Sequence, residues 1–500
     1  MLAEALPETR VAPGVVTLDR AAVAAFALLS ALYWVQAATL AANAPFWMDE
    51  ILTLWTARLP DVAAIWSALL HGAEFTPPLY DLLLHALHQA GVTSPLGLRL
   101  PSIAAIYIAA LAIGFMVRHH AGTAPAALAA GIVLSSGLFG YAVQARPYAL
   151  VTAAFACALA LYDRPGRASN RRLAAIALLL ALAIGLHFYA LLLAIGLALL
   201  ELIRARTERR APCRRTLAAI ALAACSIMLW LPILLAARAY SGGDVGAPDY
   251  YAQPVPIALV RTYAVLLGWL ALPLAGLLAA AIAVKQQTSP LRVTALVVAA
   301  APIGVFAFAL LVSHSYADRY ALAGGIGIAL LFASLAQQLG TRAAPASVVL
   351  LVLLIAGTPW RGTGEVAKPD RLEALAAIEA APPALPVVTG SGLRFFEIRE
   401  NTPIGERLIF LDTPGVPSRD PTNRNQVRRW KAIDSSLRVE DAQSFLCANP
   451  AFYLFAQPPD GGADDLPGWL AGRADFTPPP PGRATLTLVR ARPCADGAAR

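Results

Sequence analysis

The sequence predicts an all-α, multi-spanning membrane bundle of about 11 spans, with interfacial helices in its first outer loop and a small C-terminal α/β domain outside the membrane. Three observations carry this reading. Of 500 residues, 58% are hydrophobic and only 14% charged, with a mean hydropathy of +0.61, which lies outside the range of a soluble domain or a disordered chain. The apolar residues, mostly Ala and Leu, come in runs of about 15 to 23, whereas the strands of a membrane barrel alternate over roughly ten. Charge then rises abruptly near Thr358, from 22 Lys/Arg and 14 Asp/Glu up to that point to 17 of each in the residues beyond it. A net charge of +8 would point to nucleic acid in a soluble chain, but here the arginines are topology signals and no nucleic-acid partner is expected.

Taken in order, residues 1–19 form a cytoplasmic segment and 20–358 the transmembrane domain. The stretch Arg20–Ala42 is long enough to span and lacks a short apolar core with a cleavage site, so it is a signal anchor. Further spans are predicted over 98–117, 124–141, 148–162, 173–186, 188–203, 216–237, 257–284, 293–313, 320–338 and 345–358. With the N-terminus inside, the cytoplasmic loops collect Arg118, Arg164, Arg171, Arg204, Arg210, Arg215, Lys285 and Arg342 with their basic neighbours, and the outer loops hold few cations. This orientation puts the C-terminal domain outside. Leu173–Ile203 would measure about 46 Å as one helix, too long for one crossing, and both of its flanks are arginine-rich. Splitting it at Gly185-Leu186-His187 brings His187 to the outer face.

Between the first two spans, residues 43–97 are too long for a simple loop and too polar for a span. Asp61–His71 groups Val62, Ile65, Trp66, Leu69 and Leu70 on one helical face, and Leu79–Gln89 repeats the pattern, with Asp81, His85 and His88 as a solvated polar stripe. Joined by Glu74-Phe75-Thr76-Pro77-Pro78, these two interfacial helices would wall a cavity. Residues 359–500 mix an amphipathic helix, Arg371–Ala380, with strand-like runs at Pro386–Thr389, Leu408–Leu411, Phe452–Phe455 and Ala484–Arg490. Cys447 and Cys494 would sit in an oxidising compartment, where either a disulfide or two free thiols fits. Cys157, Cys213 and Cys225 fall in spans or on the reducing side.

Charges at membrane depth are costly and mark function. The set gathered on the outer face is Asp49, Glu50, Glu74, Asp81, Arg99, Arg146, His187, Asp318 and Arg319. One-sided placement suits an amphiphile whose phosphate lies at the surface and whose tail stays in lipid, whereas a conducting pore needs polar groups at several depths. Asp49 and Glu50 are the candidate catalytic residues; their side chains stand about 100° apart on a helix, so one can face the cavity while its neighbour pairs elsewhere, and Asp49 also suits an N-cap with Glu50 in the first turn. Arg146 beside Tyr148, His187, and Arg319 beside Tyr320 are the candidate phosphate-binding groups, since a guanidinium at a helix mouth grips phosphate bidentately. Glu74, Pro77, Asp81 and Arg99 are the candidate acceptor or cavity residues.

Six segments in order, WMDE (47–50), PPLYDLLLHALHQAG (77–91), LRLPS (98–102), ARPYAL (145–150), HFYALLL (187–193) and DRYAL (318–322), resemble the GT-C superfamily of membrane glycosyltransferases. The similarity is greatest to the branch that includes protein O-mannosyltransferases and lipid A aminoarabinose transferases. It spans roughly residues 20–340 and leaves the tail uncovered. The resemblance implies a polyprenyl-phosphate-linked sugar as donor, an envelope glycan, lipid or protein as acceptor, Asp49 as general base, and Arg146 and Arg319 on the donor phosphate. With one base and no nucleophile partner, direct displacement with inversion follows. No cofactor is required. Some members hold a divalent metal, for which Glu74 and His187 would be the ligands here. The alternative is a transporter or flippase of a lipid-linked saccharide, which should show paired broken helices or inverted repeats; a third class is an inactive scaffold.

Overall fold

The computed structural model describes residues 13–166, 168–245, 250, 252–284, 291–357, 369–379, 382–413, 421–456, 466–478 and 483–493. The expected domain boundary near Thr358, the loop residue Lys285 and Cys494 lie outside the described residues. Helical segments overlie every expected span. Among the described residues six helices are long and apolar enough to cross a membrane: Thr17–Asn43, Pro95–Ala121, Arg214–Ser241, Pro256–Ala283, Arg292–Ser313 and Gly340–Gly357. Thr123–Ser135, Tyr148–Asp163 and Ala323–Gln338 are shorter apolar helices.

The bundle is built on close backbone approach. Helix α1 (Pro13–Asn43) is followed, beyond three short helices, by α5 (Pro95–Ala121), α6 (Thr123–Ser135), α7 (Leu138–Ala142) and α8 (Tyr148–Asp163). Every residue of α6 but Thr123 is buried, six of them alanine or glycine. Helices in lipid associate by packing rather than by a hydrophobic drive, so small residues set the interfaces. Gly327 illustrates the constraint: any side chain there would collide with the backbone of Ala299 on the neighbouring helix. The expected split at His187 is present. Helix α9 (Asn170–Leu186) ends, His187 is extended (φ −158°), and α10 begins at Ala190 and runs to Thr207. At the end of the bundle away from the chain's sheet, Asp163 pairs with Arg204 and His120, and Glu201 pairs with Arg210 at 2.7 Å.

At the sheet end, α2 (Met48–Ala57), α3 (Val62–Leu70) and α4 (Leu79–Gln89) fill the loop between α1 and α5. Asp61 caps α3 by accepting from Ala64 N at 2.8 Å. Its buried face is Ile65, Ala68 and Leu69, whereas Val62 is exposed. The polar stripe on α4 is only partly solvated: His85 and His88 are half-buried and Asp81 is fully buried, contrary to expectation. His85 Nδ1 contacts Ala57 O at 2.8 Å, because α4 packs its polar side against α2 rather than outward.

The C-terminal region carries a six-stranded sheet in the order β3-β2-β1-β4-β6-β5. The strands are β1 (Val387–Thr389), β2 (Leu408–Asp412), β3 (Val439–Asp441), β4 (Ala451–Ala456), β5 (Ala474–Asp475) and β6 (Thr485–Ala491). β1 to β4 run parallel, while β6 is antiparallel to β4 and β5 antiparallel to β6. β1 is buried on both faces, as a central parallel strand requires. Val387 and Phe410 join a core with Phe395, Phe396 and Trp430 that continues into Phe46, Ile51 and Leu54 of the first loop. Val388, Ile409 and Phe452 form a separate core on the other face. The strands β3 and β5 were not foreseen, being too short to show an alternating pattern. Cys447 is disulfide-bonded, and Cys157, Cys213 and Cys225 are free thiols.

Candidate active site

The site begins with the turn that joins α1 to α2. Arg99, on α5 and wholly buried, donates to Ala41 O and Ala44 O at 2.8 Å each and to Pro45 O at 3.2 Å. It also grips Glu50 bidentately, Nε to Oε1 at 2.8 Å and Nη2 to Oε2 at 2.7 Å. Glu50 accepts from Ala145 N at 2.6 Å and from Trp47 N at 3.2 Å. Both charges are thereby sealed, with 0% and 1% of their side chains exposed. The geometry differs from two expectations: Glu50 is sealed in an ion pair rather than open to a cavity, and Arg99 is buried against backbone carbonyls rather than lining one. Together they fix where α2 starts. A third correction follows from the same turn, since Trp47 is the N-cap and Asp49 sits in the first helical turn rather than capping it.

That placement turns Asp49 away from Glu50 and leaves 23% of its side chain exposed. Its carboxylate faces Arg319, Oδ2 to Nη2 at 3.6 Å, an ion pair too long to be a hydrogen bond. Its backbone carbonyl accepts from Arg146 Nη1 at 2.8 Å and from Thr53 Oγ1 at 3.1 Å.

Arg146 is held behind Tyr148, to whose hydroxyl its Nη2 donates at 3.5 Å, rather than lining an open cleft as the phosphate-binding expectation required. Its Nη1 pairs with Glu74 and contacts Thr53, and Thr53 Oγ1 donates to Glu74 at 2.9 Å. Glu74, 4% exposed, is therefore the counter-ion of Arg146 and not an open cavity residue. Pro77 is buried and stands ahead of the Pro78 N-cap of α4. Asp81 is buried beside Glu74, and among the described residues neither of its oxygens has a hydrogen-bond donor. Burial, followed by the Glu74 charge, holds its carboxyl well above the usual range, so it is a neutral acid able to donate to Glu74.

The other expected phosphate-binding residues do come together. Tyr148, His187, Tyr189, Arg319 and Tyr320 line a narrow cleft, backed by apolar Val151, Leu193 and Leu322. Tyr189 and Tyr320 stack with centroids 4.4 Å apart, and His187 lies 5.3 Å from both Tyr148 and Tyr320. His187 Nδ1 accepts from Tyr189 N at 3.3 Å, which leaves the proton of the neutral ring on Nε2. Burial, with the charges of Arg146 and Arg319, lowers its pKa to about 3. The sequence reading missed Tyr189, although it stands within the HFYALLL segment; its position two residues after the break at His187 was the available signal.

Glu74 and His187 do not fit a divalent cation. The Glu74 charge is already taken up by Arg146, and His187 lies in the field of two guanidinium groups that disfavour further positive charge. Among the described residues no group of three or more His, Cys, Asp or Glu is arranged to hold a metal ion. Asp318 serves locally, accepting from Arg319 N at 2.9 Å.

No protein-family model matches this chain, and no curated protein sequence matches it. Among solved structures it is similar to ArnT from Cupriavidus metallidurans in the apo state, with a TM-score of 0.61 and 13% identity over 93% of this chain and 97% of that one. It is also similar to ArnT from the same organism bound to undecaprenyl phosphate, with a TM-score of 0.57 and 13% identity over 96% and 98%. The chain thus has the fold of ArnT along nearly its whole length, a helical membrane bundle with a small C-terminal sheet.

Proposed function

We propose that this chain is a membrane glycosyltransferase that moves a sugar from a polyprenyl-phosphate carrier to a hydroxyl of an envelope glycan, lipid or protein. Asp49 is the general base. Arg319 receives the phosphate, with Tyr148, His187 and Tyr320 around it. The observation that carries this reading is the double role of Arg319, which lines the aromatic cleft and also faces the half-exposed carboxylate of Asp49. A candidate base and a candidate phosphate-binding cation thus stand side by side at one edge of the cleft. The similar fold of an ArnT structure bound to undecaprenyl phosphate supports a polyprenyl carrier.

In this mechanism the acceptor oxygen attacks the anomeric carbon while its proton passes to Asp49. The bond from that carbon to the phosphate oxygen breaks, and the polyprenyl phosphate leaves with its negative charge beside Arg319. The leaving group is already a phosphate, so no general acid is needed. General-base help contributes about 10²- to 10⁴-fold, and a fixed cation in a poorly hydrated cleft adds a comparable factor. His187, neutral, offers its Nε2–H to phosphate without adding charge. Arg146 acts one step back, neutralising Glu74 and holding the Asp49 backbone. The active face is on the outer side of a bacterial inner membrane, with residues from about 359 onward outside.

The test is transfer by the full chain in nanodiscs, offered a panel of polyprenyl-phosphate sugars, together with mass spectrometry of envelope glycans from cells with and without the chain. A new glycosidic linkage dependent on Asp49 is expected. Transbilayer movement of a labelled polyprenyl-phosphate sugar with no covalent change would replace this reading by a flippase.

A further inference from the structure

Both backbone segments that carry the site are bound by side chains from the C-terminal region, more than 340 residues away in sequence. The first is the turn entering α2. Phe46 N donates to Asn401 Oδ1 at 2.8 Å, and Asn401 Nδ2 donates back to Phe46 O at 2.8 Å. The same amide donates to Glu397 O at 2.8 Å, inside its own helix Gly392–Asn401, so its orientation is fixed. At the other end of α2, Glu400 Oε2 accepts from Trp55 Nε1 at 2.8 Å, and Glu400 pairs with Arg58 at 2.8 Å.

The second segment is the turn before Glu74. Gln426, on the helix Pro421–Ile433, donates from Nε2 to Ala73 O at 2.6 Å and to Gly72 O at 3.2 Å. Its Oε1 accepts from Arg429 Nη1 at 3.0 Å, which allows only one orientation of the amide. Arg429 lies 5.2 Å over Phe75 and 5.3 Å over Tyr240, and it donates to Tyr240 O at 2.7 Å. Gly72 holds a positive φ of 77°, and a side chain there would meet Tyr240 and Arg429, so the turn in this packing requires glycine.

We infer that Asn401 and Gln426 are positioning residues for the transfer reaction, with the C-terminal region acting as a template that sets Asp49 and Glu74 against Arg319 and Arg146. Asn401 acts three residues before Asp49, and Gln426 acts one residue before Glu74. Neither touches the cleft lined by Arg319. An ångström of misplacement at a reacting group costs about 100-fold in rate, and two backbone anchors are suited to prevent it. The inference rests on the proposed function for its catalytic consequence, but its geometric content does not.

The experiment uses the full chain in nanodiscs with the shape-conserving variants Asn401→Leu and Gln426→Met. Arg428→Ala is the control, because Arg428 binds Asp412 on the far side of the same helix. Hydrogen exchange should speed up about 10-fold or more at amides 46–53 in the first variant and 72–76 in the second, with α5 unchanged. With whichever polyprenyl-phosphate sugar the wild type uses, kcat should fall about 10- to 100-fold while KM for that donor stays within about twofold. Unchanged exchange at both segments, or a normal kcat despite faster exchange, overturns the inference. If the wild type turns over no donor, the glycosyltransferase reading falls, and exchange alone decides whether the C-terminal region orders the two segments.

Discussion

Buried carboxylates meet arginines at both ends of the bundle, but the two ends differ in how completely the acids are satisfied. At the far end, Asp163 is held by Arg204 and His120. Glu201 accepts from Arg210, from Tyr162 OH at 2.8 Å and from Cys213 N at 2.7 Å. At the sheet end, Glu50 and Glu74 are equally well served. Asp49, in contrast, reaches its cation only at 3.6 Å, and Asp81 has no donor among the described residues. Buried polar groups are nearly always paired, so the exceptions call for an explanation. Completed pairs fix the scaffold, and the long pair at Asp49 is the one that the proposed transfer reaction would use.

The largest effect should fall on that incomplete pair. Asp49→Asn keeps shape and removes the base, so transfer should drop by about 10²- to 10⁴-fold while binding of undecaprenyl phosphate stays near normal. Retention of more than a few per cent of activity would move the base to another acid and blur the contrast between the two ends. Next comes Arg319→Ala, for which affinity for undecaprenyl phosphate should fall by about 10- to 100-fold, as for a lost charge-assisted contact. Equal affinity in wild type and variant would take the phosphate away from this cleft.

A completed pair should fail in a different way. Glu50→Gln leaves the Arg99 charge buried without its partner, which costs about 3–5 kcal/mol. The expected outcome is a fall in thermal stability larger than that of Asp49→Asn, measured on the same preparations. If Glu50→Gln were instead fully stable and inactive, Glu50 would belong to the chemistry after all.

These contrasts mark what the letters alone could and could not disclose. The bundle, the break at His187, the two helices of the first loop and four of the strands were legible because hydropathy and helical period are local properties. The aromatic cleft was legible in part, since Tyr148, His187, Arg319 and Tyr320 each stand at a helix mouth. What was hidden is pairing. Asp49 and Glu50 are adjacent and chemically alike, and only the position of Arg99 and Ala145 in space decides which of them is sealed in an ion pair. Arg146 looked like a phosphate ligand because Glu74 is 72 residues away. Asn401 and Gln426 carried no signal, being two amides in a polar tail.

Asp81 gives a smaller effect with a defined direction. Its carboxyl titrates near the ordinary value of 3.8 in the unfolded chain and well above it in the fold, because of burial and Glu74. Between those two values the folded protein holds the extra proton, so stability should decline as pH rises through that window. Asp81→Asn keeps a donor toward Glu74 and cannot ionise. Thermal unfolding as a function of pH should therefore show a flatter alkaline side in the variant. The same slope in both proteins would mean that Asp81 does not titrate in that window.

The smallest effect should come from the far end. Arg210 is 38% exposed along its side chain, whereas Glu201 is 3% exposed. Arg210→Ala removes one partner of Glu201 but leaves the Tyr162 hydroxyl and the Cys213 amide in place. An ion pair with one exposed member contributes about 0–1 kcal/mol, so stability should change by no more than that, and transfer should not change at all. Thermal unfolding and turnover measured together decide it. A large loss of stability would show that the remaining two donors do not satisfy a buried carboxylate, and completeness of pairing would then fail as the property that separates the two ends. A small loss, set beside the collapse expected for Glu50→Gln, would make exposure of the cation the variable that ranks these pairs.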